Sequence, residues 1–273
     1  MDKIKLILNL NKKHIFFLSL ASFQLSIVHD EQYKAYFNTE KIDEKRIIYN
    51  DDNGNGNRTI TKILSKFEPT VPMSTYVIAF VVCDFSFVPG ETINGIRTGA
   101  LVPIGQEQNV MFALNATKHI LAYFERFFKI PYPLKKLDLV AVPDFGAGAM
   151  ENWGLITFRM TALLYNEQDS SSEVKEQVAI VVAHEIAHQW FGNLVTMNWW
   201  NDLWLNEGFA SYVENLGVDF IHPEWFVSTK KHFNQFNSIM ICLLCFDFDF
   251  FQANVGSICN INITTCISIR FII

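Results

Sequence analysis

The sequence feature that most constrains this chain is a pair of histidines, His184 and His188, within the apolar run VVAHEIAHQW. On an α-helix of about 3.6 residues per turn, side chains four residues apart leave the same face, so both imidazoles can reach one ion. Glu185 points roughly 100° away around the helix and is better placed to act on a water molecule than to bind the ion. The pattern predicts a metal site on a helix, with Glu185 as general base.

A catalytic zinc ion takes three protein ligands and keeps a fourth position open, so this site needs one more ligand. Glu207 is the candidate, because it lies in a second helix-like stretch from Asp202 to Glu214. The intervening residues FGNLVTMNWWN are numerous enough to turn the chain back and let the two helices pack side by side. We therefore predict one zinc ion, bound by His184, His188 and Glu207. The alternative is a buried helix with two ordinary histidines, which a downstream acidic residue at this spacing disfavours.

The helix that carries the histidines has predictable ends. Ser170 and Glu173 match a capping box, and Gly192 suits a C-terminal stop. An apolar stripe is expected to face the core, formed by Val174, Val178, Val181 and Val182.

Composition excludes one class of partner. Half of the 273 residues are hydrophobic, which is enough for a packed core. The net charge is −6, and no basic cluster is interleaved with aromatic residues. A nucleic-acid-binding surface is therefore not expected.

The N-terminal segment bears on location. An apolar run from Ile15 to Val28 follows several lysines but falls short of the roughly 20 residues that a membrane-spanning helix needs. Residues 1–28 are therefore predicted to be a signal or leader segment, with a buried strand as the open alternative. Asn-x-Ser/Thr sequons at Asn57, Asn115 and Asn262 permit a secretory route. We expect a membrane-associated or extracellular protein, attached through the N-terminal segment if at all, with a cytoplasmic location as the alternative.

The first hundred residues otherwise carry structural signals only. Composition predicts a flexible loop from Asn50 to Asn57. The β-branched run Tyr76 to Val82 predicts a strand in the core of a sheet. A domain boundary is expected near residue 100, where strand-like patterns give way to helical ones.

Between that boundary and the histidines, a helix and two strands are predicted around a glycine-rich segment. Apolar residues recur at helical spacing over 108–128, ahead of a stop at Pro131. Strands are expected at Leu137 to Val142 and at Leu155 to Phe158, on either side of DFGAGAMENWG. The glycines around Glu151 indicate either a backbone that must approach some other group closely or a plain loop, and the residues alone leave both open.

Taken together, GAMEN at Gly148 to Asn152, HEIAH at His184 to His188 and NEGFA at Asn206 to Ala210 closely resemble the zinc aminopeptidases of the aminopeptidase N (membrane alanyl aminopeptidase) type. VPMSTYVIAFVV, PYPL and WWNDLW match in the family's order, and the resemblance is clear from about Phe67 to Trp225. It implies an α+β fold: a partial β-rich N-terminal domain over 29–100, followed by an incomplete, thermolysin-like zinc metallopeptidase domain over 101–238.

The resemblance also implies roles for individual residues. His184, His188 and Glu207 would be the zinc ligands and Glu185 would activate water, the same roles that the spacing predicts. Glu151 would bind the free α-amino group of a peptide substrate. The backbone around Gly148 and Ala149, with Met150 and Asn152, would run beside the peptide. The implied activity is zinc-dependent removal of N-terminal residues from peptides.

Two departures from the family bear on activity. The family uses a later tyrosine to stabilise the oxyanion, whereas no tyrosine follows Tyr212 in this sequence. Residues 239–273 show no family resemblance and are expected to be a tail foreign to the family, so the catalytic domain is interpreted as truncated. The alternative function is therefore a catalytically impaired, zinc-containing remnant that binds peptides without turnover.

Overall fold

A computed structural model describes residues 5–10, 20–51, 58–91, 93–230, 260–263 and 267–271, which form an α+β structure. The helices are Met111–Phe128 (α1), Met160–Leu163 (α2), Ser172–Ala187 (α3) and Leu203–Ile221 (α4). The strands are Lys5–Leu10 (β1), Phe23–His29 (β2), Lys34–Phe37 (β3), Lys41–Asp51 (β4), Arg58–Phe67 (β5), Phe80–Cys83 (β6), Ser86–Pro89 (β7), Arg97–Val102 (β8), Lys136–Val142 (β9), Ala149–Met150 (β10), Leu155–Arg159 (β11), Val195–Met197 (β12), Asn260–Ile263 (β13) and Ile267–Phe271 (β14).

The N-terminal part is an antiparallel sheet in the order β1-β2-β5-β4. Strand β2 buries Phe23, Leu25 and Ile27 on one face. The second half of the apolar run Ile15–Val28 is therefore a buried strand, which was the alternative to a leader. Residues 11–19 lie outside the described residues, so the leader stays a prediction there.

Strands β4 and β5 form a long hairpin whose connection includes most of the Asn50–Asn57 segment. Residues 52–57 lie outside the described residues. The polar sequence of β4 did not predict a strand, because most of its side chains are exposed and carry no apolar alternation.

The strand predicted over Tyr76–Val82 is wrong for its first half. Thr75–Val77 forms a 3₁₀ turn, and only Phe80–Cys83 is a strand, which pairs with β3 in a separate two-stranded sheet. It is not sheet core throughout, because Phe80 is exposed. Both halves are apolar because the turn buries Val77, and the neighbouring strand residues Val81 and Val82 each pack against a hydrophobic cluster.

A mixed sheet in the order β10-β11-β9-β8-β7 supports the region of the histidines. Strands β8, β9 and β11 are parallel, and the two outer strands are antiparallel to their neighbours. Helix α1 connects β8 to β9 and buries Ile120, Phe124 and Phe128. The helix predicted over 108–128 and the strands predicted on either side of the glycine-rich segment are thereby confirmed.

The predicted domain boundary near residue 100 falls inside β8, which is bonded to a strand on each side. A division there would cut the mixed sheet. If the β-rich part and the catalytic part are separate domains, which stays a prediction, their boundary has to precede β7 at Ser86.

Helices α3 and α4 pack against each other, and α1 packs against both. The side chain that caps α3 is Ser171 rather than Ser170, because the Ser171 hydroxyl accepts from the Val174 amide. The Ser170 hydroxyl instead accepts from the Asn166 amide in the preceding turn. Within the valine stripe, Val178 and Val182 are fully buried, whereas Val174 is exposed.

The C-terminal tail is described only in part. Strand β14 pairs with β12 and β13, and the remainder of the tail predicted over 239–273 lies outside the described residues. In the described part of the chain, no helix combines the length and apolar character needed to cross a membrane.

Candidate active site

Three side chains from the two packed helices converge at one point. His184 and His188 extend from the C-terminal end of α3, and Glu207 extends from the second turn of α4. The Nε2 atoms of the two histidines are 2.9 Å apart. A Glu207 carboxylate oxygen lies 3.4 Å from His184 Nε2 and 3.6 Å from His188 Nε2. Two atoms that each lie about 2.1 Å from one tetrahedral ion are roughly 3.4 Å apart, so the three separations suit a single small cation.

The hydrogen bonds on the far side of each imidazole fix its tautomer. His184 Nδ1 lies 2.6 Å from a Glu214 carboxylate oxygen, and His188 Nδ1 lies 2.8 Å from the Phe191 carbonyl oxygen. Both partners are acceptors, so each Nδ1 carries the hydrogen. In the neutral imidazoles, each Nε2 then presents a lone pair to the shared point.

Two lone pairs and a carboxylate that face one another repel unless a cation lies between them. A proton could serve, but it would satisfy only one pair of these atoms at a time. A divalent ion satisfies all three, and the two-imidazole, one-carboxylate donor set is one that zinc takes in catalytic sites. The residues present therefore fit a zinc ion. The described residues contain no other cluster of three or more metal-ligating side chains this close together.

The charges around this point favour a cation. In the metal-free protein, hydrogen bonds to His184 and His188 lower the pKa of Glu207 well below its usual range. Burial opposes the charged form of His184, but hydrogen bonds to Glu207 and Glu214 outweigh it and raise the pKa of His184 to about 10. The site thus holds positive charge strongly, and a metal ion can supply it in place of the proton.

A glycine shapes the turn behind His188. Gly192 has φ +124°, and a side chain there would place its Cβ 3.2 Å from His188 Nδ1 and 3.4 Å from Asn206 Nδ2. Both the backbone conformation and the close approach therefore favour glycine. The predicted C-terminal stop is displaced, because α3 ends at Ala187 and a tight turn follows it before Gly192.

Glu185 lies on the same helix beside the two histidines but points elsewhere. It is 5% exposed, and its Oε2 atom has no hydrogen-bond partner in the described structure. Burial raises the pKa of Glu185 to about 7, although the histidines oppose that shift. A buried carboxyl group with this pKa and a free acceptor oxygen can take up a proton near neutral pH.

The glycine-rich segment lies at the edge of the mixed sheet, next to α3. Strand β10 holds Ala149 and Met150, and the Gly148 carbonyl accepts from the Arg159 amide of β11. Glu151 follows at once and is 5% exposed. Its backbone carbonyl accepts from the side-chain amides of Gln189 at 3.4 Å and Asn193 at 2.9 Å, both from the segment after α3.

Asn152 completes this edge. Its side-chain oxygen accepts from the Thr157 hydroxyl at 2.8 Å, and its amide donates to the Met150 carbonyl. The loop is therefore fixed by hydrogen bonds on two sides. A close backbone approach is seen at Gly154, where a Cβ would lie 2.5 Å from the Asn38 carbonyl oxygen. A Cβ at Gly146 or Gly148 would meet nothing within 4 Å, so for these two glycines close approach stays a prediction beside a plain loop.

Sequence reasoning missed several residues that support the site. Glu214 lies seven residues after Glu207, two turns along α4, so the i, i+7 spacing of acidic residues could have identified it. Gln189 and Asn193 follow the second histidine and could have been suspected as polar residues in an apolar segment. Tyr76, whose hydroxyl bonds to the Gly192 carbonyl and to the Asn206 side-chain amide, has no such local signal, because it lies more than a hundred residues before the histidines.

The comparisons with known proteins agree with this geometry. The model of the protein family described as "Peptidase family M1 domain" matches residues 112–242 of this chain. The chain is 47% identical to glutamyl aminopeptidase of Bos taurus over 207 residues, 75% of this chain and 20% of that protein. It is 45% identical to aminopeptidase N of Bos taurus over 222 residues, which are 81% of this chain and 22% of that protein. It is 54% identical to aminopeptidase M1-B of Oryza sativa subsp. japonica over 159 residues, which are 58% of this chain and 18% of that protein.

The chain thus spans about a fifth of the length of these relatives. The matched residues include both packed helices and all three converging side chains. The resemblance carried by the GAMEN, HEIAH and NEGFA motifs rests on the same region. This chain belongs to the M1 family of peptidases.

Proposed function

We propose that this chain carries the active site of a zinc-dependent aminopeptidase, which removes N-terminal residues from peptides with a free amino terminus. The observation that supports the proposal most is the convergence of two imidazole lone pairs and one carboxylate, which leaves a cation as the group that satisfies all three. His184, His188 and Glu207 are the proposed ligands. The mixed sheet with α3 and α4 is the proposed thermolysin-like part of the fold.

Zinc bound by these three side chains would supply Lewis acidity, which polarises the scissile carbonyl and makes water a better nucleophile. Glu207 is half exposed and His184 is partly exposed, so the ligand set is open to a substrate on one side. His188 closes the other side, because its side chain is 1% exposed.

Glu185 is the proposed general base. Its unpartnered Oε2 accepts a proton from the attacking water and then passes it to the amine of the leaving peptide. In the metal-free protein, burial raises the pKa of Glu185 to about 7, which suits a carboxyl group that both takes up and returns a proton. This role accounts for a buried acceptor oxygen, Oε2 of Glu185, that has no hydrogen-bond partner in the described structure.

Glu151 is the proposed site for the substrate's α-ammonium group. The hydrogen bonds from Gln189 and Asn193 to its backbone fix it relative to the end of α3, and therefore relative to His188. A carboxylate at a fixed distance from the reacting carbonyl selects peptides whose charged N-terminus lies one residue from the cut. This accounts for removal of single N-terminal residues.

Strand β10 is the proposed support for the peptide backbone. It is the outermost strand of the mixed sheet, and among the described residues only its edge toward β11 is paired. An extended peptide can add to the other edge along Gly148, Ala149 and Met150, with Asn152 closing the loop. The residues named here recognise backbone and amino terminus, so they do not select among side chains.

The test is peptide cleavage by the zinc-loaded 273-residue chain, followed by mass spectrometry. A pentapeptide with a free amino terminus should lose one residue at a time, whereas its N-acetylated form should remain intact. Glu151→Gln should lower kcat/KM for the free peptide by about 10- to 100-fold, because it removes a charge-assisted hydrogen bond worth roughly 1.5–3 kcal/mol. Binding of zinc and of free peptides without any release would refute the enzyme and leave a peptide binder.

A further inference from the structure

Tyr76 belongs to the N-terminal part of the chain, in the 3₁₀ turn Thr75–Val77, ahead of residues 112–242 that the family model matches. Its hydroxyl nevertheless reaches the metal-binding region. It donates to the Gly192 carbonyl at 3.2 Å and accepts from the Asn206 side-chain amide at 3.1 Å. One hydroxyl thus joins two segments, at Gly192 and at Asn206, that lie fourteen residues apart in the sequence.

Each of these two segments carries a proposed ligand. Gly192 follows Phe191, whose carbonyl accepts the hydrogen of His188 Nδ1. Asn206 immediately precedes Glu207. A shift of the Gly192 turn therefore moves the acceptor that orients His188, and a shift of Asn206 moves the backbone that carries Glu207.

The hydroxyl is the part of Tyr76 that needs an explanation. The ring packs edge-on against Trp200, with centroids 5.3 Å apart, and a phenylalanine ring could make the same contact. Burial, together with the negative charge of Glu151, raises the pKa of the Tyr76 phenol, so the group remains a neutral donor and acceptor. A buried hydroxyl costs stability unless it is bonded. Two hydrogen bonds of the Tyr76 hydroxyl go to the ligand-bearing segments, and the side chains of Thr196 and Glu151 also lie within its reach.

We propose that Tyr76 is a positioning residue for the metal site, whose hydroxyl holds the Gly192 turn and Asn206 at the separation that lets His188 and Glu207 meet at one ion. The inference rests on the proposed zinc site and adds a residue that lies before residues 112–242, the part that the family model matches. The β-rich N-terminal part thereby contributes to metal binding as well as to the core.

The test compares zinc affinity of the full chain and two variants by competition with a chromogenic chelator. Y76F removes the bridging hydroxyl. Y132F is the matched control, because the Tyr132 hydroxyl is also buried and also donates to one backbone carbonyl, that of Lys136 at 3.1 Å, but touches neither ligand-bearing segment. Loss of a hydrogen bond that orients a ligand directly costs about 10- to 100-fold in affinity. Tyr76 acts one step further away, so we expect about a 10-fold weakening in Y76F and unchanged affinity in Y132F.

Equal zinc affinity in Y76F and Y132F would overturn the proposal. If Y76F loses its cooperative thermal melt while Y132F keeps it, the comparison passes to N206A, which removes the hydrogen bond to the Tyr76 hydroxyl and keeps the ring. Wild-type affinity in N206A would then overturn the proposal. Failure of the wild-type chain to bind zinc would instead refute the proposed metal site itself. That outcome is distinguishable, because the wild-type affinity is measured before any variant is made.

Discussion

Replacing Glu185 with glutamine tests the proposal that, on α3, Glu185 acts as the general base while His184 and His188 bind the metal. The substitution keeps the size of the side chain and removes its ability to accept and return a proton. Glu185 is buried, and in the described part of the chain its Oε2 has no hydrogen-bond partner that the change would break, so the fold should tolerate it. Its side chain is not among the three that converge, so zinc binding should be retained.

The expected magnitude follows from the loss of general acid–base catalysis, which contributes about 10²- to 10⁴-fold in rate. One group is proposed to act in both proton transfers, so we expect kcat to fall toward the upper end of that range. KM should change little, because Glu185 is not proposed to bind the substrate. Glu185→Asp keeps the carboxylate but withdraws it by about 1 Å, and a misplacement of that size costs about 10²-fold.

The assay measures kcat, KM and zinc stoichiometry for the wild type, E185Q and the control E176Q. Glu176 lies on the same helix but faces the surface, where it pairs with Lys230 at 3.2 Å, so E176Q should behave as wild type. An E185Q protein that binds zinc and retains more than about a tenth of wild-type kcat would refute the role of Glu185 as general base.

Three further predictions concern metal binding and stability. Glu214→Gln weakens the hydrogen bond that orients His184, so zinc affinity should fall about 10- to 100-fold in a chelator competition, and an unchanged affinity would contradict that role. Gly154→Ala should lower the free energy of unfolding in urea by clearly more than the ~1–2 kcal/mol of left-handed backbone strain, because the new Cβ would lie 2.5 Å from the Asn38 carbonyl oxygen. Gly95→Ala is the control: Gly95 also has a positive φ, but its Cβ would meet nothing within 4 Å, so this variant should show the strain alone. In the metal-free protein, the pKa of His184 is raised from 6.5 to about 10, so its stabilising contribution is fully present below pH 6.5 and is lost as pH rises through about 10. Thermal melts should therefore show that contribution disappearing with rising pH in the metal-free wild type but not in H184Q, and identical profiles would contradict the assignment.

The two helices of the site could be predicted because their signals are local. The spacing of His184 and His188 places both side chains on one face by helix geometry alone, and the structure brings their Nε2 atoms to 2.9 Å. Glu207 required one more assumption, that the next helix folds back, and α4 packs against α3 as that assumption requires.

The parts that were missed depend on contacts between distant residues. Tyr76 lies more than a hundred residues before the ligand-bearing segments that its hydroxyl contacts, and the apolar run around it predicted a strand where the structure has a 3₁₀ turn. Strand β4 is largely polar, so its strand character comes from pairing with β5 rather than from an apolar pattern. The α3 cap lies one residue after the predicted one, because Ser170 is used by the preceding turn. In each case the deciding partner lies in another element or turn.

The most direct test of the central claim is anomalous diffraction at the zinc absorption edge from crystals of the zinc-loaded chain. The account predicts one strong peak about 2.0–2.2 Å from the Nε2 atoms of His184 and His188 and from a carboxylate oxygen of Glu207. It also predicts that Nδ1 of each histidine keeps its bond, to Glu214 and to the Phe191 carbonyl. A zinc peak elsewhere in the chain, with none between these three side chains, would contradict the account.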